Sequence, residues 1–168
     1  MSAERPGTMI RLATAEDYPA VLVLNDGAVP AVNSIPTEKL ADLHRQGIWF
    51  GVAEDADGIA GFLLALDERA EYDSINFGFF RARYPQFAYV DRVVIRPDRQ
   101  GAGIGKLLYA GLLAVVRNKT PVLACEVNLT PPNPGSLAFH QRMGFVPVGE
   151  QLTEGGSKRV CLMMRPLA

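Results

Sequence analysis

The feature that most constrains this chain is a glycine-dense turn (residues 100–106), which reads Gln100-Gly101-Ala102-Gly103-Ile104-Gly105-Lys106. It follows an apolar run that ends at Ile95 and precedes a segment in which apolar residues recur at helical spacing. Such a turn can hold an anion, because glycines let the backbone approach it and the first N–H groups of a helix are unpaired. The sequence predicts either a phosphate-binding turn, to which Lys106 adds a positive charge, or a glycine-rich turn without a ligand.

The spacing of the glycine turn excludes the two commonest nucleotide motifs. A Walker loop needs Gly-x-x-x-x-Gly-Lys-Ser/Thr, but here Gln100 stands at the first glycine and Leu107 at the hydroxyl position. The dinucleotide fingerprint needs a third glycine where Lys106 stands, and an acidic residue about twenty positions later, where this chain has Thr120 and Pro121. The glycine turn therefore predicts an anion site of another class.

Length, charge and cysteine content limit the class of protein. The chain of 168 residues predicts one domain spanning 1–168, and its 17 Lys and Arg against 18 Asp and Glu favour neither nucleic-acid nor membrane binding. No apolar run is long enough to span a bilayer, and residues 1–8 lack the apolar core of a signal peptide. Cys125 and Cys161 lack the spacing of metal ligands, so we expect no metal site and two buried free thiols. Free thiols favour a reducing compartment, so we expect a cytoplasmic protein.

The pattern of apolar residues predicts a mixed α+β protein. Strands are expected at 9–13, 48–54, 59–66, 87–95, 122–127, 145–151 and 159–164. Helices are expected from an N-cap at Thr14, at 37–46, at 103–118 and up to Met143, whereas residues 67–86 are expected to be irregular. Hairpins at both ends of the chain and a central strand–helix–strand unit predict three layers, with a mixed, mostly antiparallel central sheet and helices on both faces.

Two motifs in this order resemble the signatures of the GNAT superfamily of acyl-CoA-dependent N-acetyltransferases. The glycine turn matches the superfamily's pyrophosphate signature, Gln/Arg-x-x-Gly-x-Gly/Ala, and it follows a strand of the expected kind. The second signature runs from Asn133 through an aromatic pair, here Phe139 and His140, to a terminal Gly144-Phe145. The resemblance covers about residues 9–164, although the first ninety residues match by the order of their elements only.

The resemblance implies that the sheet is split between its fourth and fifth strands and that acetyl-CoA lies in the split. The pantetheine arm would bind the backbone of the fourth strand and Asn133, and the pyrophosphate would bind the glycine turn. Asn133 before Pro134 is equally the pattern of a helix N-cap. The implied cofactor-binding residues are Val93, Val94, Ile95, Gly101, Ala102, Gly103, Ile104, Gly105, Lys106 and Asn133.

Acetyl transfer to an amine needs a base, because a lysine-like ammonium has a pKa of about 10.4. Glu126, expected at the end of the fifth strand where related enzymes often place a glutamate, is the first candidate, and Asp91 is the second. Each is alternatively a charged residue on the polar side of a strand, for example paired with Arg92. His140 stands where the superfamily commonly has Tyr, and is either the acid that protonates the leaving thiolate or a packed helix histidine.

The irregular stretch 67–86 is the expected acceptor-binding lid, because long loops inside compact domains are often functional. Its aromatic content argues against disorder. Its aromatics alternatively cover the sheet edge or form a dimer contact. The candidate acceptor-binding residues are Tyr72, Asn76, Phe80 and Tyr84, with Glu68 and Arg83 beside them.

The resemblance implies an N-acetyltransferase that moves an acetyl group from acetyl-CoA to a primary amine by direct attack in a ternary complex. The amine belongs to a small metabolite, an antibiotic, a peptide N-terminus or a lysine, and the sequence does not choose among them. Similar enzymes are often homodimers. Two alternatives stay open, namely a non-catalytic acyl-CoA sensor of the same fold and a phosphate- or nucleotide-binding module of another class.

Overall fold

A computed structural model describes residues 7–167, so most of the predicted polar stretch 1–8 lies outside the described residues. The described part contains seven strands and five α-helices. In chain order they are β1 Met9–Leu12, α1 Tyr18–Gly27, α2 Thr37–Gln46, β2 Trp49–Asp55, β3 Gly58–Asp67, α3 Ile75–Arg83, β4 Ala88–Ile95, α4 Ile104–Val116, β5 Val122–Thr130, α5 Pro134–Arg142, β6 Val146–Thr153 and β7 Lys158–Pro166. In residues 7–167, no helix combines the length and the apolar character needed to cross a membrane.

The seven strands form one sheet in the order β1-β2-β3-β4-β5-β7-β6. Four of its ladders, β1 with β2, β2 with β3, β5 with β7 and β6 with β7, are antiparallel. The ladder between β4 and β5 is parallel and joins Ala88 to Leu123 and Tyr89 to Ala124. This confirms the predicted mixed, mostly antiparallel sheet, whereas the split between β4 and β5 stays a prediction.

The chain forms two compact units, and the single domain expected from its length stays a prediction. Among the described residues, the first unit comprises residues 7–65 and 91–115, and the second comprises residues 66–90 and 116–167. In the first unit, a Cβ on Gly51 would lie 2.0 Å from the Trp49 ring, and one on Gly111 would lie 2.7 Å from it. Glycine at both positions therefore lets α4 and β2 pack closely on the indole.

The second unit contains a helix that the sequence did not predict, since α3 occupies the centre of the stretch expected to be irregular. Ser74 caps it, because its Oγ accepts a hydrogen bond from the amide of Phe77 at 3.4 Å. Phe77 and Phe80, three residues apart, are fully buried. Gly78 and the exposed Ile75 weaken the local helical pattern, so tertiary burial of the two phenylalanines stabilises the helix.

Strand β5 is longer than predicted, because it pairs with β7 as far as Thr130, which lies opposite Arg159. Glu126 therefore lies in the middle of β5 and not at its end. Cys125 and Cys161 are buried free thiols, as expected, and burial raises the pKa of both. The β5 thiol is therefore unsuited to act as a thiolate nucleophile.

Candidate active site

The glycine turn takes up the backbone conformation that its sequence predicts. Gly101 and Gly103 have φ angles of +80° and +83°, a left-handed region that other residues enter at a cost. Both are exposed, and α4 begins directly afterwards at Ile104, which is 2% exposed. The amides of the first turn of α4 have no acceptor within the helix, and Lys106 is exposed beside them. The local structure is therefore suited to bind an anion.

Strand β3 lies against the end of β4, which precedes the glycine turn, and against Ile104 within the turn. The amide of Arg96, at the end of β4, donates to the carbonyl of Ala60 at 2.8 Å. A Cβ on Gly61 would lie 2.9 Å from the carbonyl oxygen of Val94 and 3.4 Å from Cγ2 of Ile104. The glycine at position 61 is therefore needed for the close approach of β3 to the end of β4 and to Ile104.

Asp91, the second candidate base, is engaged in a buried ion pair. Its Oδ2 accepts from Nε of Arg92 at 2.8 Å, and both side chains are 3% exposed. The same guanidinium donates to Oδ1 of Asn25 at 3.0 Å and to the carbonyl and side chain of Asn33 at 3.1 and 3.0 Å. The pairing agrees with the structural alternative for Asp91, and its catalytic role stays a prediction.

Glu126, the first candidate base, is held by a tyrosine in the second unit. The hydroxyl of the fully buried Tyr89 donates to Oε2 of Glu126 at 2.6 Å. Glu126 is half-buried, and its neighbours in β5, Cys125 and Val127, are buried on the opposite face of the strand. The arrangement gives this carboxylate a defined orientation and partial contact with solvent, which suits a proton acceptor better than the buried Asp91 pair does.

His140 lies on α5 and is 3% exposed. Its Nδ1 donates to the carbonyl of Ser136 at 2.8 Å, and the rings of Phe139 and Phe145 meet it edge-on. Desolvation lowers the pKa of His140 below 6.5, and the hydrogen bond to Ser136 offsets part of this effect. The neutral imidazole is therefore the main form at neutral pH, and catalysis as an imidazolium stays a prediction.

Asn133 caps α5, as its sequence context predicts. Its Oδ1 accepts from the amide of Ser136 at 3.4 Å, and Pro134 occupies the first helical position. This confirms the structural half of the hypothesis, while the contact of Asn133 with pantetheine stays a prediction.

The four candidate acceptor-binding residues lie on or beside α3, and their environments differ. Phe80 is fully buried against the rings of Phe79, Phe87 and Tyr89, with Tyr84 stacked against it. Tyr72, Asn76 and Tyr84 are half-buried. Tyr72 meets the Phe77 ring edge-on, and Asn76 accepts from Gln151 at 2.9 Å. Phe80 therefore belongs to the core in this structure, and acceptor contacts of all four residues stay predictions.

Sequence reasoning missed the partners that orient the candidate residues. Tyr89 is 37 residues from Glu126, and Asn25 is 67 residues from Arg92, so no local pattern links them. In residues 7–167, no cluster of three or more His, Cys, Asp or Glu side chains has the arrangement to hold a metal ion.

Two curated relatives match most of the chain. The L-amino acid N-acyltransferase MnaT of Escherichia coli K12 is 28% identical over 155 residues, which cover 89% of this chain and 85% of the relative. An L-methionine sulfoximine/L-methionine sulfone acetyltransferase of Pseudomonas paraeruginosa is 30% identical over 161 residues, which cover 89% and 86%. Each comparison extends over nearly the full length of both chains.

A solved structure and a family comparison agree with these relatives. The structure of yncA, a putative acetyltransferase from Salmonella typhimurium with its cofactor acetyl-CoA, has a TM-score of 0.74. It is 21% identical, and the match covers 97% of this chain and 95% of that one. The Acetyltransferase (GNAT) family matches residues 12–145. The chain therefore belongs to the GNAT family and is an acyltransferase.

Proposed function

We propose that this acyltransferase moves an acetyl group from acetyl-CoA to a primary amine by direct attack in a ternary complex. The observation that carries the proposal is the backbone of the glycine turn, in which Gly101 and Gly103 lead into the N-terminus of α4 at positive φ. Unpaired amides and the positive end of the helix dipole there suit a pyrophosphate. The bound acetyl-CoA of the Salmonella structure supports the choice of donor.

The other proposed contacts with acetyl-CoA are taken from the two GNAT sequence signatures. Backbone groups of Val93, Val94 and Ile95 bind the pantetheine arm, as an added strand would, and Asn133 adds a polar contact. Within the turn from Gly101 to Lys106, the amides other than that of Ala102, which donates to the Arg99 carbonyl, bind the pyrophosphate. The Lys106 ammonium adds Coulomb attraction.

The chemical step makes one bond and breaks another. The amine nitrogen attacks the thioester carbonyl carbon, so that a C–N bond forms, the C–S bond breaks and CoA leaves as a thiolate. The ammonium loses two protons overall: the base removes one before the attack, and the second leaves the nitrogen as the C–S bond breaks. The thiolate takes up one proton, so CoA thiol and one net proton are released. Glu126 is the proposed base, because Tyr89 orients its carboxylate and it keeps contact with solvent, through which a water can relay the proton.

His140 has a narrower role under this proposal than its residue type suggests. The contact from Nδ1 to the Ser136 carbonyl needs a proton on Nδ1, so in the neutral form the other ring nitrogen is an acceptor. Donation to the thiolate then requires the imidazolium, whose formation burial disfavours. His140 is accordingly proposed as the acid only in those molecules in which its imidazole is protonated. A hydrogen-bonding or packing role is the alternative.

The acceptor is proposed to be a small amine, and the names of the curated relatives supply a starting panel. Those relatives are named for L-amino acids, L-methionine sulfoximine and L-methionine sulfone. Free amino acids and these two analogues therefore come first, followed by a lysine peptide and an N-terminal alanine peptide. The half-buried polar groups of Tyr72, Asn76 and Tyr84 are the proposed acceptor contacts.

The decisive experiment follows thiol release from acetyl-CoA across this amine panel. Release that depends on one acceptor class is the expected result. Acetyl-CoA binding without release by any amine would favour the acyl-CoA sensor. Thermal stabilisation by ATP or NAD but not by acetyl-CoA would contradict the proposal and favour the nucleotide-binding alternative.

The proposed base is tested by charge-removing variants of matched shape. Glu126→Gln should lower kcat by about a hundredfold, whereas the buried Asp91→Asn should act mainly on stability. Glu38→Gln, at an exposed position in the first turn of α2, is the control for an ordinary carboxylate. If Glu126→Gln and His140→Phe each leave turnover unchanged, both proposed roles are wrong.

A further inference from the structure

Arg99 is surrounded by three carboxylates in the first unit. Its Nε donates to Oδ2 of Asp55 at 2.9 Å, and its Nη1 donates to Oδ2 of Asp98 at 2.9 Å. Its Nη2 donates to Asp57. The side chains of Arg99 and Asp55 are only 16% and 11% exposed, whereas those of Asp57 and Asp98 are 62% and 61% exposed. The contact between Arg99 and Asp55 is therefore the least solvent-screened of the three.

This contact joins two loops that are far apart in the sequence. Asp55 ends β2 and Asp57 directly precedes β3, so both lie at the tip of the β2–β3 hairpin. Arg99 ends a short 3-10 turn, Pro97–Arg99, and directly precedes the glycine turn. We use the term Arg99 clamp for Arg99 and Asp55, because Asp57 is the more exposed of the two hairpin partners.

The Arg99 clamp acts at the point where the glycine turn begins. The carbonyl of Arg99 accepts from the amide of Ala102 at 3.4 Å, across the left-handed Gly101. On the hairpin side, Oδ1 of Asp55 accepts from the amide of Asp57 at 2.8 Å, so the carboxylate that binds Arg99 is itself held in place. The clamp therefore connects the paired β2–β3 hairpin to a segment rich in conformationally free glycines.

The tether has a physical consequence for anion binding. Glycine backbones lose much entropy on ordering, so a tether that already fixes the entrance of the glycine turn reduces the entropy lost when a ligand binds. The guanidinium also keeps the pKa of Asp55 below its usual value, so this partner stays ionised at neutral pH.

We propose that Arg99 is a positioning residue for acetyl-CoA, which acts by holding the glycine turn on the β2–β3 hairpin through Asp55. The proposal rests on the proposed function, because it assigns the glycine turn to the cofactor pyrophosphate. It differs from direct phosphate binding by Arg99 in one respect that can be measured. If the clamp is the mechanism, loss of Asp55 has the same effect as loss of Arg99.

The test is a double-mutant cycle. Calorimetric titration measures the Kd for acetyl-CoA, and steady-state kinetics measures KM and kcat. Arg99→Gln removes the charge, and Asp55→Asn keeps an oxygen for the Asp57 amide while removing the acceptor of Arg99 Nε. Each should raise the Kd and the KM for acetyl-CoA about tenfold, and the double variant should bind no more weakly than either single variant. At saturating acetyl-CoA, kcat and the KM for the amine should stay within about twofold of wild type.

Asp57→Asn is the matched control, because it removes an equally charged but exposed partner of the same guanidinium. It should change the Kd for acetyl-CoA by less than about twofold. A thermal unfolding curve of each variant checks that the titrated protein is folded. If Arg99→Gln does not fold, the Kd of Asp55→Asn for acetyl-CoA alone tests the clamp.

The outcomes separate this inference from the function on which it rests. Weaker binding by Arg99→Gln with unchanged binding by Asp55→Asn would show direct contact with the cofactor and overturn the clamp. Unchanged binding by both variants would overturn it as well. If wild type itself fails to bind acetyl-CoA, the proposed function fails first and the inference fails with it.

Discussion

The hydroxyl of Tyr89 donates a 2.6 Å hydrogen bond to Oε2 of Glu126 next to the short parallel ladder that joins β4 to β5. Tyr89 lies opposite Ala124, and Glu126 follows two residues later on the same face of β5. The parallel register thus brings together a buried phenol and the first candidate base. This contact is the reason for proposing Glu126 as the base in preference to Asp91, whose carboxylate is buried with Arg92.

Replacing Tyr89 with Phe should lower kcat about tenfold, because the proposed base loses the donor that orients it. The fold should persist, since the change removes one oxygen and keeps the ring in its aromatic cluster. Tyr18→Phe is the control, because it removes a comparable hydroxyl that contacts His44 at 2.6 Å. A loss of kcat in Glu126→Gln but not in Tyr89→Phe would show that Tyr89 does not position the base.

Arg92→Met should lower the free energy of unfolding by about 3–5 kcal/mol, because Asp91, Asn25 and Asn33 all lose a buried charged donor. Urea denaturation measures the change. Arg69→Ala is the control, since Arg69 is 81% exposed in its ion pair with Asp67 and its removal should cost less than about 1 kcal/mol. Equal losses from the two variants would contradict a structural role for the buried network.

Gly101→Ala and Gly103→Ala should each weaken acetyl-CoA binding about tenfold, because a Cβ at positive φ is strained by about 1–2 kcal/mol and shifts the turn amides. Titration with acetyl-CoA measures the effect. Gly27→Ala at the end of α1 is the control, because a Cβ there would meet no atom within 4 Å and its φ is not positive. If the three variants bind alike, the amides of the glycine turn do not hold the pyrophosphate.

The stability of the protein should fall as the pH falls below about 6.5, in part through His140. Burial lowers the pKa of His140 in the folded state, so the unfolded chain binds a proton at this residue at a higher pH than the folded protein does. As the pH falls, protonation therefore stabilises the unfolded state relative to the folded state. Urea denaturation from about pH 8 to about pH 5 should show a smaller loss for His140→Phe than for wild type. The difference in the free energy of unfolding between the two proteins at about pH 8 measures the effect of the substitution on packing alone. If this difference stays the same down to about pH 5, His140 does not cause the loss of stability.

Particular segments show why some elements were predictable and others were not. The bounds predicted for α2 are the observed ones, and Asn133 caps α5 before Pro134, because the signals for these helices are local. Helix α3 was missed, because Phe77 and Phe80 form a buried face only in contact with Phe87 and Tyr89. The end of β5 was misplaced for a similar reason, since pairing with β7 extends it to Thr130.

The sequence by itself determined the family and the position of the glycine turn, because glycine spacing and helix caps are local properties of the backbone. It also supplied Glu126, Asp91 and His140 as candidates, but could not rank them. Tertiary structure decided the environments on which ranking depends: a tyrosine donor for Glu126, a buried guanidinium for Asp91 and an apolar, edge-on aromatic setting for His140. The reason is physical, since burial and the position of a distant partner decide how readily a side chain carries charge, and both arise only when the chain folds.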